Sequence, residues 1–250
     1  EDSDNTNEEL TFVLNDGLDG MTIDQNTGLI IWTPGDVGVY GPITIIVSDG
    51  DLESEQSFTI TVEYNFVVAN YGLVEGNNLI SFYSIPPDDQ TVESVFESLG
   101  TDISFVFGEG STALQVEDGI WAGSLQEINP QDGYWVRIND DVPFTVYGLP
   151  MGNNLEYFVH QGNNLLSYSY DVGQDVEDAL PNDIQQHIYA IFGQNVSAIN
   201  QNGTWLGSLN SFEPGKGYWF ITTDDSEGFS FKYNSPEGAS FASTSNSFSQ

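Results

Sequence analysis

Short runs with period-two alternation dominate the start of the chain. Leu10–Leu14, Met21–Ile23, Leu29–Thr33, Ile43–Ser48 and Ser57–Glu63 are separated by clusters of turn residues. In the last run Phe58, Ile60 and Val62 share one face, while Thr59, Thr61 and Glu63 share the other. That is the pattern of a half-buried antiparallel strand. Short strands at this spacing predict a β-sandwich over residues 1–64.

The pattern then changes and repeats. Gly76-Asn77-Asn78-Leu79-Ile80-Ser81 recurs as Gly162-Asn163-Asn164-Leu165-Leu166-Ser167. Phe107-Gly108 recurs as Phe192-Gly193, and Asp118-Gly119-Ile120-Trp121 as Asn202-Gly203-Thr204-Trp205. Gly123-Ser124-Leu125 recurs as Gly207-Ser208-Leu209. Pro130 with Gly133-Tyr134-Trp135 recurs as Pro214 with Gly217-Tyr218-Trp219. Such ordered self-similarity marks two copies of one module, over residues 65–152 and 153–235. Within a copy, Asn-Asn-Leu-Ile-Ser reads as a strand after a glycine turn. Val92, Val95, Phe96 and Leu99 have helical spacing, closed by Gly100. Asp175 to Leu180 is the shorter counterpart, stopped before Pro181. Asp118-Gly119 and Asn202-Gly203 predict type I′ hairpin turns. Each copy is therefore a small β-rich module with one short helix, and the fold class is mainly β. Residues 236–250 are Ser-rich and read as a tail or linker.

The order Thr27-Gly28-Leu29-Ile30, Trp32-Thr33-Pro34, Gly38-Val39-Tyr40, Val47-Ser48-Asp49-Gly50 and Phe58-Thr59-Ile60-Thr61-Val62 resembles the cadherin-like and Putative Ig domains of bacteria. The resemblance covers about residues 8–63 and implies an Ig-like sandwich short of strands at its start. It also implies an extracellular setting and calcium at acidic loop ends, where Asp2, Asp4, Asp49 and Asp51 are the matching positions. The repeated module is similar to a repeat of large secreted proteins of marine bacteria, which implies a surface or secreted multidomain protein and no catalytic activity.

Charge sharpens this picture. The chain has 38 Asp+Glu against 3 Lys+Arg, a net charge of 3 − 38 = −35. Nucleic acid is excluded as a partner, because phosphate neutralisation needs Lys and Arg. Docking on anionic lipid is excluded for the same reason. No apolar run reaches the length of a membrane span. There is no cysteine, so disulfides and thiolate chemistry are absent. The chain starts at Glu1 without Met, as a processed or internal piece does. Self-repulsion at −35 calls for screening by salt or for Ca²⁺ held by clustered carboxylates.

Candidate chemistry is sparse. His160 and His187 sit at non-equivalent places, with no nucleophile signature around either. Gly108-Glu109-Gly110 is a loop rather than a phosphate cradle. Trp121, Trp135, Trp205 and Trp219 fit two readings, as core anchors of each module or as stacking platforms for sugar rings. The sequence thus points to a non-enzymatic extracellular structural or adhesive segment, whose partners are further copies or other surface proteins. An array of carbohydrate-binding modules is the alternative. An unpaired edge on the Ig-like sheet and an extended tail bearing Phe241 and Phe248 further suggest polymerisation by strand complementation.

Overall fold

The computed structural model describes residues 10–152, 155–223 and 228–240, together with the backbone strand Thr244–Ser249. The fold is mainly β, built from antiparallel sheets with short helical pieces. The chain forms two compact units. One ends its first segment at Asn65 and includes the C-terminal strand; the other is Phe66–Ala242.

In the first unit, β1 (Thr11–Asp16), β2 (Gly38–Ser48) and β3 (Glu53–Tyr64) form one sheet. The pairs Thr22–Ile23 and Ile30–Ile31 form a small ribbon beside it. β2 and β3 extend beyond the alternating runs in the sequence, because the turn at Asp49–Leu52 holds them in register from Ser48↔Glu53 onward. Ile43, Ile60 and Val62 are buried with Met21, and Leu14, Trp32, Tyr40 and Phe58 pack around them half-buried. The expected alternation of Phe58, Ile60 and Val62 against Thr59, Thr61 and Glu63 holds. This core is small, as a short domain with a high surface-to-volume ratio must have.

The second unit contains both modules. In the first module β4 (Gly76–Ile80), β5 (Ile103–Gly108), β6 (Ser111–Glu117), β7 (Ile120–Gly123) and β8 (Tyr134–Ile138) make a sheet of order β7-β6-β5-β8-β4. In the second, β9 (Asn163–Ser167), β10 (Ile188–Gly193), β11 (Val196–Gln201), β12 (Thr204–Gly207) and β13 (Gly217–Thr222) repeat it in the order β12-β11-β10-β13-β9. Each sheet closes over its own aromatic core. Phe82, Phe96, Tyr134 and Phe144 fill the first, and Tyr157, Tyr168, Phe212, Phe220 and Tyr233 the second.

Repeated motifs acquire local reasons. Ser124 Oγ accepts from Thr112 N at 3.2 Å, and Leu125 N donates to Thr112 O at 2.9 Å. Ser208 and Leu209 make the same two bonds to Ser197. The glycine before each serine lies with its Cα against that partner backbone, so the Gly-Ser-Leu sequence is a clip between neighbouring strands. Tyr134 and Tyr218 are buried, and their hydroxyls accept from Asn129 N at 2.7 Å and Glu213 N at 2.8 Å.

Two local expectations are refined. The helix over Thr91–Gly100 is α1 (Val92–Phe96), capped by Thr91 Oγ1, followed by a 3-10 stretch Glu97–Asp102 in which Gly100 has φ +48°. Its counterpart stops before Pro181 as expected, as α2 (Val176–Ala179), and a further short helix α3 (Asn182–Gln185) follows the proline. Proline lacks an N–H and pushes Leu180 into extended backbone. Asn202 and Gly203 both have positive φ, as a type I′ turn requires, but at Asp118-Gly119 only the glycine does. A bulge between Gln115 and Glu117 makes the difference in the first hairpin.

Candidate functional site

The two modules meet along a reciprocal seam. Ser81 N donates to Gly215 O at 3.0 Å, and Ser167 N donates to Gln131 O at 2.9 Å. Ser81 Oγ donates to Lys216 O and Ser167 Oγ to Pro130 O, both at 2.6 Å. The main-chain bonds join equivalent residues, since Gly215 and Gln131 correspond, while the two hydroxyls choose different carbonyls of the same loop; the arrangement is an approximate two-fold. Gly133 and Gly217 lie at its centre. A Cβ on Gly217 would stand 2.7 Å from Ile80 O and 3.2 Å from Gly133 Cα. Only the missing side chain lets the two backbones approach so closely.

The seam also seals both edge strands. Gln194 is in the turn after β10, and its amide accepts from Leu79 N at 2.9 Å and donates to Asn77 O at 3.0 Å. It supplies one donor and one acceptor to β4, as a neighbouring strand would. Glu109 stands at the equivalent place and accepts from Leu165 N at 2.9 Å. A carboxylate has no proton to donate, so its other oxygen meets His160 Nε2 at 2.6 Å instead. The residue equivalent to His160 in the first module is Val74. The two copies therefore differ together, Gln194 with Val74 and Glu109 with His160. Sequence reasoning took His160 as incidental and Glu109 as a loop residue. The readable signal was this paired departure from the repeat.

One end of the seam is consequently titratable. Burial pushes the Asp132 carboxyl up to about 6, opposed by its bond to Asn129 and reinforced by the Glu109 charge. The bond of His160 to Gln161 O, then its bond to Glu109, raises the imidazole above its usual value. Both folded values exceed the unfolded ones, so both contributions are complete at low pH. They are lost as pH rises, through about 6 for Asp132 and above 6.5 for His160. Thermal stability is expected to fall from pH 3.8 to about pH 6 by about 1–2 kcal/mol as Asp132 ionises, after allowance for its partial exposure, and to fall further above pH 6.5 as His160 loses its proton. Asp132→Asn should flatten the lower part of that slope in a melting series. The second module tolerates Lys216 at the same position. An unaltered slope in Asp132→Asn would show that the group does not govern it.

The sequence-predicted residues are dispersed. Asp2 and Asp4 lie outside the described residues. Asp49 and Asp51 sit in the β2–β3 turn, where Asp49 Oδ1 accepts from Asp51 N at 2.9 Å and Leu52 N at 2.7 Å. Among the described residues no three His, Cys, Asp or Glu side chains converge where a metal ion could sit. The four tryptophans divide into two kinds. Trp121 and Trp205 pack half-buried against the module cores, with Trp205 Nε1 donating to Gln185 Oε1 at 2.9 Å. Open grooves of about 610 and 510 Å³ lie at equivalent places beside these hairpins, the first lined by Trp121 and several carboxylates. Trp135 and Trp219 stand on the outward faces of the two sheets, each cross-strand from a phenylalanine, Phe107 and Phe192.

The remaining surface of interest is the edge of β3. The C-terminal strand Thr244–Ser249 pairs with it antiparallel, from Thr244↔Tyr64 to Ser249↔Thr59. Sheet order in the first unit is β1-β2-β3-C-terminal strand. Without that partner β3 would present a long row of unpaired main-chain groups.

The family model described as Putative Ig domain matches residues 3–63. This supports an Ig-like domain in the first part of the chain. No curated protein and no solved structure matches the chain. No helix among the described residues is long and apolar enough to cross a membrane.

Proposed function

We propose that this chain is a non-enzymatic extracellular segment, structural or adhesive, whose copies assemble by strand donation. The observation that carries the reading is the pairing of Thr244–Ser249 along β3. The Ig-like sheet has an edge that accepts a strand, and the chain's own C-terminal sequence fits it in continuous register. The same register is available to a strand from a neighbouring copy, with the same main-chain bonds. Donation from each copy to the next is head-to-tail and produces an open filament. Ig-like domains are common at cell surfaces, which agrees with an extracellular setting. In this reading Ca²⁺ is a counterion of the acidic clusters, with Asp2, Asp4, Asp49 and Asp51 its candidate ligands, and salt screens the rest of the charge.

The test is the mass of the purified full chain by light scattering, with and without a calcium chelator. Concentration-dependent polymers are expected, and a chain lacking residues 244–250 should remain monomeric. Excess peptide of sequence 244–250 should shorten the polymers by occupying the acceptor edge. A monomeric full chain, or polymers that survive the truncation, would overturn strand donation. Polymers of the same size in chelator would remove calcium from the reading.

A further inference from the structure

The two five-stranded sheets each bury one face on a module core and leave most of the other outward, except at the edge strands β4 and β9, where Leu79 and Leu165, cross-strand from Trp135 and Trp219, are buried in the seam. Register identifies the outward side chains. In the first module Leu114 lies opposite Phe105, Thr112 and Trp135 both lie opposite Phe107, and Arg137 flanks Phe105. In the second, Trp219 lies opposite Phe192, and Ile199 lies opposite Leu206, with the buried Ala190 between these two groups. Leu114 is 52% exposed, Phe192 42% and Leu206 48%. The rings of Phe105, Phe107 and Trp135 form a row, with centroids 6.1 and 6.5 Å apart and planes within 26° and 20° of parallel.

These faces stand out by charge. Strands β9 to β13 contain no Asp, Glu, Lys or Arg, and β4 to β8 contain only Glu117 and Arg137. On a chain of net charge −35, two aromatic and aliphatic sheet faces almost free of carboxylate are surfaces from which charge has been kept away. An anionic polymer would meet repulsion from everything around them. A cationic partner would bind the carboxylates elsewhere. A second copy would bring another −35 onto faces where Arg137 is the chain's only arginine. An uncharged polysaccharide meets none of these penalties. Its sugar-ring faces match flat aromatic and aliphatic surface, and its hydroxyls match neutral side chains such as Thr112 and Ser197 on the same faces.

We propose that the outward faces carrying Phe107–Trp135 and Phe192–Trp219 are a duplicated docking surface for an uncharged polysaccharide. The inference is independent of strand donation. It assigns the role to Trp135 and Trp219 and leaves Trp121 and Trp205 to the module cores. Duplication within one compact unit makes the binding bivalent, so one weak platform reinforces the other.

The test is co-sedimentation of the full chain with insoluble cellulose, chitin and β-1,3-glucan, with an alginate gel as the anionic contrast. Retention on at least one neutral polymer is expected, persisting in 1 M NaCl, with none on alginate at low salt. Phe192→Ala with Trp219→Ala should weaken retention roughly tenfold, and the same change in both modules should abolish it. Because half-buried tryptophans also support packing, Leu114→Glu with Leu206→Glu forms a second set. It places charge on each face through exposed positions and should abolish retention while the melting temperature stays unchanged. Three results would overturn the proposal: no retention on any neutral polymer, retention unchanged in folded variants, or variants whose only effect is on the oligomeric state.

Discussion

Gly123→Ala and Gly207→Ala should each destabilise the second unit by about 3–5 kcal/mol, a lowering of roughly 10 °C in melting temperature. The glycines occupy equivalent places in the Gly-Ser-Leu clip. A Cβ on Gly123 would stand 2.1 Å from Thr112 O, and one on Gly207 2.1 Å from Ser197 O. The colliding atom is backbone carbonyl in a paired strand, so no side chain can swing away. Moving the strand would break the bonds that Ser124, Leu125, Ser208 and Leu209 make to those same residues. Gly119→Ala is the control. It also has positive φ, +70°, but nothing lies within 4 Å of its Cβ, so only the conformational cost of about 1 kcal/mol applies. Melting curves of the three variants separate steric collision from dihedral strain. Equal losses in all three would mean that the close approach is not what fixes these glycines.

Ser81→Val is expected to cost about 3–4 kcal/mol and to loosen the seam, with Ser167→Val close behind. Ser81 is wholly buried; its hydroxyl donates to Lys216 O and accepts from Tyr168 N at 3.2 Å. Valine leaves both groups dry and unpaired, at about 1–3 kcal/mol each. Ser167 donates to Pro130 O and shares a 2.8 Å bond with Tyr157 Oη. Since the two serines close one reciprocal interface, the double variant should cost less than the sum of the singles. Amide exchange at Gly133, whose N–H bonds to Leu165 O, should accelerate in either single variant. Strict additivity, or unchanged exchange at Gly133, would show that the modules do not depend on each other through this contact.

Much of the second unit was legible because its constraints are local. The Asn-Gly turn, the buried Tyr of Gly-Tyr-Trp and the helical spacing of Val92, Val95 and Phe96 all act within a few residues of themselves. Duplication made them visible twice. The division of the four tryptophans was not legible. Trp121 and Trp135 are equally bulky and equally repeated, and their fates depend on which strand face each occupies. The Glu109–His160 pair was missed because its members lie in different copies, and each looks incidental alone.

What the sequence determined by itself was the mainly β class, the Ig-like start, the duplication and the net acidity, since periodicity, turn chemistry and composition are properties of the chain. Tertiary structure alone decided that Gln194 and Glu109 would cover each other's edge strands, and in which register Thr244–Ser249 would lie along β3. Those choices depend on which main-chain groups remain unpaired after each sheet has formed. That residue of unmet hydrogen bonding belongs to no segment until the others are in place.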